Sequence, residues 1–335
     1  SAMSCTPEPS HIPVLLEEAV GMLSCRPGGR YVDGTLGGGG YTERILKCSA
    51  PDGRVLGMDW DASAIERAAP RLAAYGDRVC LAHASYADLP RVLSEIGWSK
   101  VDGMVLDLGV SSVQLDEPDR GFSLMRDGPL DMRMDRSACR TAADLVNHWA
   151  EKDLADVIYG LGEERWARRI ARAIVAHRAL TPFRTTMELA ELIKRVVPHS
   201  ADSRRIHPAT RTFQALRLAV NLELESLEKF LSFALDLLEE NGRLSIVSFH
   251  SLEDRLVKRA FKAWAARCQC PPQELRCTCS RQQRARLLTR KVVTPTEQEI
   301  ELNPRARSAK LRAVQKCAQA QEGELNARAE KDVTP

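Results

Sequence analysis

The chain has 335 residues, 44% of them hydrophobic, enough for a full core and enough to exclude global disorder. Its formal net charge is only +3, so a nucleic-acid partner has to be met by local basic patches and not by bulk charge. No apolar run reaches the ~18 residues that a membrane helix needs. No leader is visible and most of the ten cysteines are scattered, which together suggest a cytoplasmic protein with no membrane role.

Ser1-Ala2-Met3 reads as a tag remnant, and residues 1–10 as a loose start. Residues 11–23, HIPVLLEEAVGML, have the apolar spacing of an amphipathic helix after Pro13. Strand-like runs then fall at 30–33, 54–59, 79–82 and 101–106, with helix-like runs at 41–46, 62–72 and 89–96 between them. Such alternation predicts a parallel sheet covered by helices, with ligands at the carboxyl ends of the strands, where Asp33, Asp59 and Asp107 stand. From 141 to about 197 the pattern is helical throughout, in runs at 141–149, 153–159, 163–178 and 186–197. One long helix is expected over 212–240, then a buried strand at 243–249 and a helix at 252–267. Residues 291–293 and 309–314 are candidates for two last strands, and a polar tail follows. The long helix could pack on a second copy, which leaves a homodimer open, although core packing is the simpler account.

Tyr31 to Tyr41, YVDGTLGGGGY, is the centre of this layout. Five of the seven residues after Asp33 are glycine, so a ligand could lie against bare main chain between a strand and a helix. An acid at Asp59, closing the next apolar run, suits ribose hydroxyls. The dinucleotide fingerprint needs a third glycine where Thr42 stands. Asp33, Thr35, Gly37 and Gly39 instead spell Asp-x-Thr-x-Gly-x-Gly, which resembles the first motif of S-adenosylmethionine-dependent methyltransferases.

Three further blocks narrow the resemblance: DLGVSSVQLDEPDRGFSLMRDGPLDMRMD from Asp107, HPATRTFQALRLAVNLEL from His207, and GRLSIVSFHSLEDRLVKRAFK from Gly242. With HIPVLLEEAV near the start and NPRARSAKLR near the end, the chain resembles the MraW-type family, the small-subunit ribosomal RNA cytosine-N4 methyltransferases, over residues 11–312. The resemblance implies an α/β, Rossmann-like S-adenosylmethionine-dependent sheet domain, residues 11–115 and 212–316. It also implies an inserted all-helical substrate domain, residues 116–211, with 317–335 as a loose tail. It implies methyl transfer to the amine of one cytidine in the decoding region of 16S ribosomal RNA. The family's cofactor contacts fall on Gly39, Gly40, Tyr41, Asp59, Tyr86, Asp107 and Gln114; position 41 is commonly His in the family and is Tyr here. The loop pattern adds Asp33 and Gly37. Competing readings are a noncatalytic RNA-binding assembly factor, or a methyltransferase of DNA or a small molecule.

Cytosine's amine is a poor nucleophile, because its lone pair is delocalised into the ring. With no cysteine in DLGVSS or SFHSLEDR, direct in-line attack is expected over covalent catalysis. Acceptors for the amine hydrogens could be Asp107, Ser111 or Ser112. Phe249 could stack on a flipped cytosine, and His250 could take a proton or make a structural hydrogen bond. Ser251 looks like a helix N-cap. Arg133, Arg204, Arg205, Arg211 and Arg217 are candidates for RNA phosphates. Arg165, Arg168, Arg169, Arg172 and Arg178 read as spread over several faces, a solvated surface as readily as an RNA patch. Cys268, Cys270, Cys277 and Cys279 form two C-x-C pairs that could wrap a structural zinc ion or be free thiols.

Overall fold

Three short apolar strands each end in an aspartate, and in the computed structural model those aspartates line up along one edge of a single sheet. The structure describes residues 12–199, 206–267, 270, 273 and 282–318. β1 (Arg30–Asp33), β2 (Arg54–Asp59), β3 (Val79–His83), β4 (Val101–Asp107) and β5 (Leu238–Ser248) are parallel. β6 (Ala285–Leu287) pairs antiparallel with β7 (Lys310–Lys316), which is itself antiparallel to β5. The order among the described residues is β3-β2-β1-β4-β5-β7-β6. It reverses between β1 and β4, and connections that leave in opposite directions open a crevice at the carboxyl ends there.

Side chains on a strand alternate between the two sides of the sheet, and each side here has its own core. Tyr31, Val55, Val105 and Val247 face α1 (Leu16–Gly21), α2 (Gly40–Cys48) and α3 (Ala62–Leu72). Val32, Leu56, Met104, Leu106 and Ile246 face the other way, toward α4 (Leu89–Glu95) and two later helices. Both sides being buried explains why these strands read as continuous apolar runs.

After β4 the chain makes a short helix, α5 (Ser112–Asp116), and then a helical layer: α6 (Ala142–His148), α7 (Glu151–Gly162), α8 (Ala167–Leu180), α9 (Thr186–Val196) and α10 (Thr210–Val220). Thr141 and Thr185 cap α6 and α9 by accepting from the backbone N–H of Asp144 and Glu188. This layer has a third core of its own, including Leu145, Ile158, Ile170, Ile193 and Leu216.

Three expectations are corrected. The long helix over 212–240 is two helices, α10 and α11 (Glu223–Leu237), broken at Leu222 with φ 49°. Asn221 stabilises the break: its amide nitrogen donates to the carbonyls of Met132 and Arg217, and its oxygen accepts from Met134 N–H. The apolar faces of both halves are spent on the cores, with Phe213 and Leu216 in the helical layer and Phe230 and Leu231 under the sheet. Residues 291–293 make no strand, only one bridge from Val293 to Leu311, while β6 forms earlier, at an arginine-bearing ARL that periodicity does not flag. The helix expected over 11–23 is α1 alone, six residues. α12 (Ser251–Ala265) and α13 (Glu297–Leu302) complete the described helices. Among the described residues no helix is long and apolar enough to cross a membrane.

Candidate active site

The glycine loop leaves β1 with Gly37 at φ 50° and Gly39 at φ 82°, left-handed conformations that a side chain would strain. Asp33 lies behind the loop, fully buried, accepting from Thr42 Oγ1 at 2.8 Å and Thr35 N–H at 3.2 Å. Burial pushes its pKa up to about 7. Thr35 Oγ1 in turn accepts from Asp107 N–H at 2.6 Å. Asp33 therefore shapes the loop and braces β4, while the cavity wall is made by Gly37, Gly38 and Gly40. A Cβ added at Gly37 or Gly38 would meet nothing within 4 Å, so the main chain there is open to a ligand. Gly39 is not among the lining residues and serves as the N-cap of α2.

Asp59 lines a cavity of about 300 Å³. Its Oδ2 accepts from Gly37 N–H and its Oδ1 from Asp61 N–H, both at 2.8 Å. Burial raises its pKa to about 6. Across the crevice, Asp107 Oδ1 accepts from Gly109 N–H at 2.9 Å, and Tyr41 Oη lies 3.5 Å from its Oδ2. Burial brings Asp107 to about 6 as well. The Tyr41 hydroxyl also donates to the Val14 carbonyl, so this side chain ties the N-terminal segment to the acid. Tyr86 forms another wall, its ring fixed edge-on to Phe230 at 5.6 Å.

Ser111, Ser112, Gln114 and Phe249 line the same cavity. Ser111 caps α5, accepting from Gln114 N–H. Gln114 is nevertheless occupied by the protein: Oε1 accepts from Ser111 N–H at 3.2 Å and Nε2 donates to Asp61 at 3.0 Å. It holds the wall in shape. The Phe249 ring packs over Gly109, where a Cβ would come within 2.7 Å of Cε2. His250 turns away from the cavity, with Nε2 2.9 Å from Glu253 Oε1 and a side chain 8% exposed. His250, not Ser251, is the N-cap of α12; Ser251 is the first helical residue, and its hydroxyl donates to Glu163.

Several site residues escape a reading of the sequence. Glu223 lines the cavity, and its carboxylate takes Arg217 Nε at 2.9 Å. Burial raises the Glu223 pKa, against the pull of Arg217. Asp61 caps α3 and is joined by Arg120 at 2.7 Å, both side chains almost fully buried. Burial would raise the Asp61 carboxyl, but Ser63, Arg120 and Gln114 outweigh it and hold it below the usual carboxylate range. Glu223 sits in the NLEL that ends the stretch from His207, yet nothing local distinguishes it from a surface acid. The partners of Arg120 are distant in sequence.

The RNA candidates separate. Arg133 is folded onto Asp131 at 2.8 Å and donates to the Ala138 carbonyl. Arg217 lies between Glu223 and Glu253, the latter at 4.0 Å. Both are internal ion-pair residues. Arg211 is exposed. Arg204 and Arg205 lie outside the described residues, as do Cys268, Cys277 and Cys279. Among the described residues no three metal-ligating side chains come together.

The sequence profile of the MraW methylase family matches residues 8–317. A protein named ribosomal RNA small subunit methyltransferase H from Syntrophobacter fumaroxidans is 63% identical over 310 residues, 92% of this chain and 97% of that protein. Proteins of the same name from Geobacter sp. strain M21 and Symbiobacterium thermophilum are 53% and 50% identical. They cover 91% and 93% of this chain and 98% of each relative.

Proposed function

The chain belongs to the MraW methylase family, and from that premise we propose that it methylates N4 of one cytidine in the decoding region of 16S ribosomal RNA, with S-adenosylmethionine as donor. The observation that carries the donor is the open main chain at Gly37 and Gly38 between two carboxylates, Asp59 and Asp107, at the point where strand order reverses. S-adenosylmethionine supplies an electrophilic methyl group. Asp59, already oriented by two backbone donors, accepts from ribose hydroxyls. Tyr86 offers its face to the adenine. Asp107 offers its second oxygen to the cationic end of the donor.

Phe249 offers a surface for a cytosine turned out of its helix. The amine would attack the methyl carbon in line as the carbon–sulfur bond breaks, S-adenosylhomocysteine would leave, and the nitrogen would lose a proton. Asp107, Glu223, Ser111 and Ser112 line the cavity and are the acceptors for it. Among the lining residues described there is no cysteine, which favours direct attack over a covalent intermediate. His250 acts through Glu253 and the start of α12, as a positioning residue.

The test is transfer from labelled donor to small subunits lacking the modification, followed by nucleoside analysis. N4-methylcytidine is expected. Labelled 5-methylcytidine would overturn the mechanism, and no transfer would favour a noncatalytic assembly factor.

A further inference from the structure

α8 and α9 are joined by residues 181–185 and run antiparallel, so the end of α9 lies beside the start of α8. A hollow forms there, lined by Arg169, Lys194, Arg195 and His199, with Glu191 as the one acid among its described residues. Arg168 and Arg172 extend the charge along α8. Spacings of three and four put them on one stripe with Arg169, and all three are exposed. The run as a whole spans several faces, as expected, with Arg165 over the Trp166 ring, but these three share the outward side of α8. Arg178 alone turns inward, donating to the carbonyls of Val146 and Trp149.

Two features make this hollow more than a solvated face. Among the described residues, none of Arg168, Arg169, Arg172, Lys194 and Arg195 has a carboxylate within ion-pair distance. Some exposed cations, such as Arg91 and Lys152, are paired along their own helices, and others, such as Arg54 and Lys100, stand singly among the described residues; here the unpaired cations gather on two neighbouring helices around one hollow. The turn that leads into α8 also touches an element that holds the catalytic cavity. Glu163, in the turn before α8, accepts from Ser251 and pairs with Arg255 on α12, two residues beyond the lining Phe249. Gly162, ending α7, lies against the backbone of Arg211 so closely that a Cβ would come within 2.5 Å of its carbonyl oxygen. The turn between α7 and α8 therefore touches the starts of both α10 and α12, and Arg211, at the start of α10, is exposed beside it.

We propose that Arg168, Arg169, Lys194, Arg195 and Arg211 form a track for the RNA phosphate backbone leading to the cavity. The inference rests on the RNA reading above and specifies the surface that grips the substrate. Unpaired cations in a concave strip suit a flexible polyanion, because phosphates meet them without first displacing protein carboxylates. Bound counterions are released in their place, so binding must weaken with salt.

The test uses the full chain and two double variants, Arg168→Gln/Arg169→Gln and Lys194→Gln/Arg195→Gln. Arg54→Gln/Lys100→Gln, exposed at the opposite edge of the sheet, is the control of equal charge change. Binding of a decoding-region transcript is titrated at several salt concentrations. Each track variant should lower the slope of log K against log salt by about 1.4 to 1.8 and weaken binding roughly tenfold at physiological salt, from two lost contacts. It should raise KM for small subunits and leave kcat, donor affinity and melting temperature unchanged. Track variants that match the parent overturn the inference, and so does a control that loses as much slope as they do. Variants that bind the transcript normally but fail on assembled subunits would mean an acidic protein partner, which also overturns it. A parent that neither binds nor methylates RNA sinks the proposed function itself, a result distinguishable from the others.

Discussion

Replacing Arg120 with methionine tests whether the helical layer and the donor loop are held as one unit. The Arg120 side chain is 1% exposed and that of Asp61 3%. Nη1 meets Asp61 at 2.7 Å, while Nη2 donates to the carbonyls of Arg133 and Met134 at 3.1 and 3.0 Å. Removing one partner of a buried ion pair typically costs about 3–5 kcal/mol, because the other charge stays buried. Asp61 keeps Ser63 N–H, Ser63 Oγ and Gln114 Nε2, which holds this contribution near the low end, ~3 kcal/mol. The two carbonyls lose a donor each, which adds about 1 kcal/mol apiece. Methionine fills much of the volume, and Arg120 Nε, buried without a partner among the described residues, no longer has to be desolvated. The net expectation is a loss of ~4 kcal/mol in urea unfolding, with the m-value unchanged. The double variant Arg120→Met/Asp61→Asn keeps the α3 cap and removes the stranded charge. It should be more stable than the sum of the single changes by ~2 kcal/mol. Because Asp61 N–H orients Asp59, donor affinity should fall with Arg120→Met even where the protein is fully folded. A loss under ~1 kcal/mol, or strict additivity in the cycle, would refute the argument that this pair is a coupled buried unit.

Asp59→Ala/Asp107→Ala should abolish donor capture in a folded protein; calorimetry showing unchanged affinity would remove the donor site from this crevice. Gly37→Ala should cost about 1–2 kcal/mol at the left-handed φ of 50° and weaken donor binding, since the methyl projects into the cavity. The pH dependence has a definite sign. Asp33, Asp59 and Asp107 are raised from 3.8 to about 7, 6 and 6 by burial, so the folded state holds their protons more tightly than the unfolded chain. Their contribution is fully present below pH 3.8 and is lost as pH rises through 6 to 7, at about 1.4 kcal/mol per pH unit for each proton. Stability of the donor-free protein should fall over that window, and a rise in urea midpoint would contradict it. Binding of the sulfonium donor near pH 6 should release protons, and S-adenosylhomocysteine fewer, as read by calorimetry in buffers of different ionisation enthalpy.

The parallel sheet and the three aspartates were legible because they are local properties. A strand buried on both faces must be an apolar run, and a carboxylate ending it must sit at the sheet's carboxyl edge. The break at Leu222 was not legible: an apolar residue in a left-handed conformation leaves no mark in composition, and what stabilises it is Asn221 reaching Met132 and Met134. The arginines show the limit most clearly. By sequence Arg120, Arg133, Arg169 and Arg217 are equivalent cations. Folding buries one against Asp61, folds one onto Asp131, places one between two glutamates, and leaves Arg169 exposed beside a hollow, with no ion-pair partner among the described residues. Hydrophobic periodicity is written along the chain, because burial of a face depends on near neighbours. The state of a charge depends on which opposite charge the fold brings within a few ångströms, and only the tertiary structure decides that.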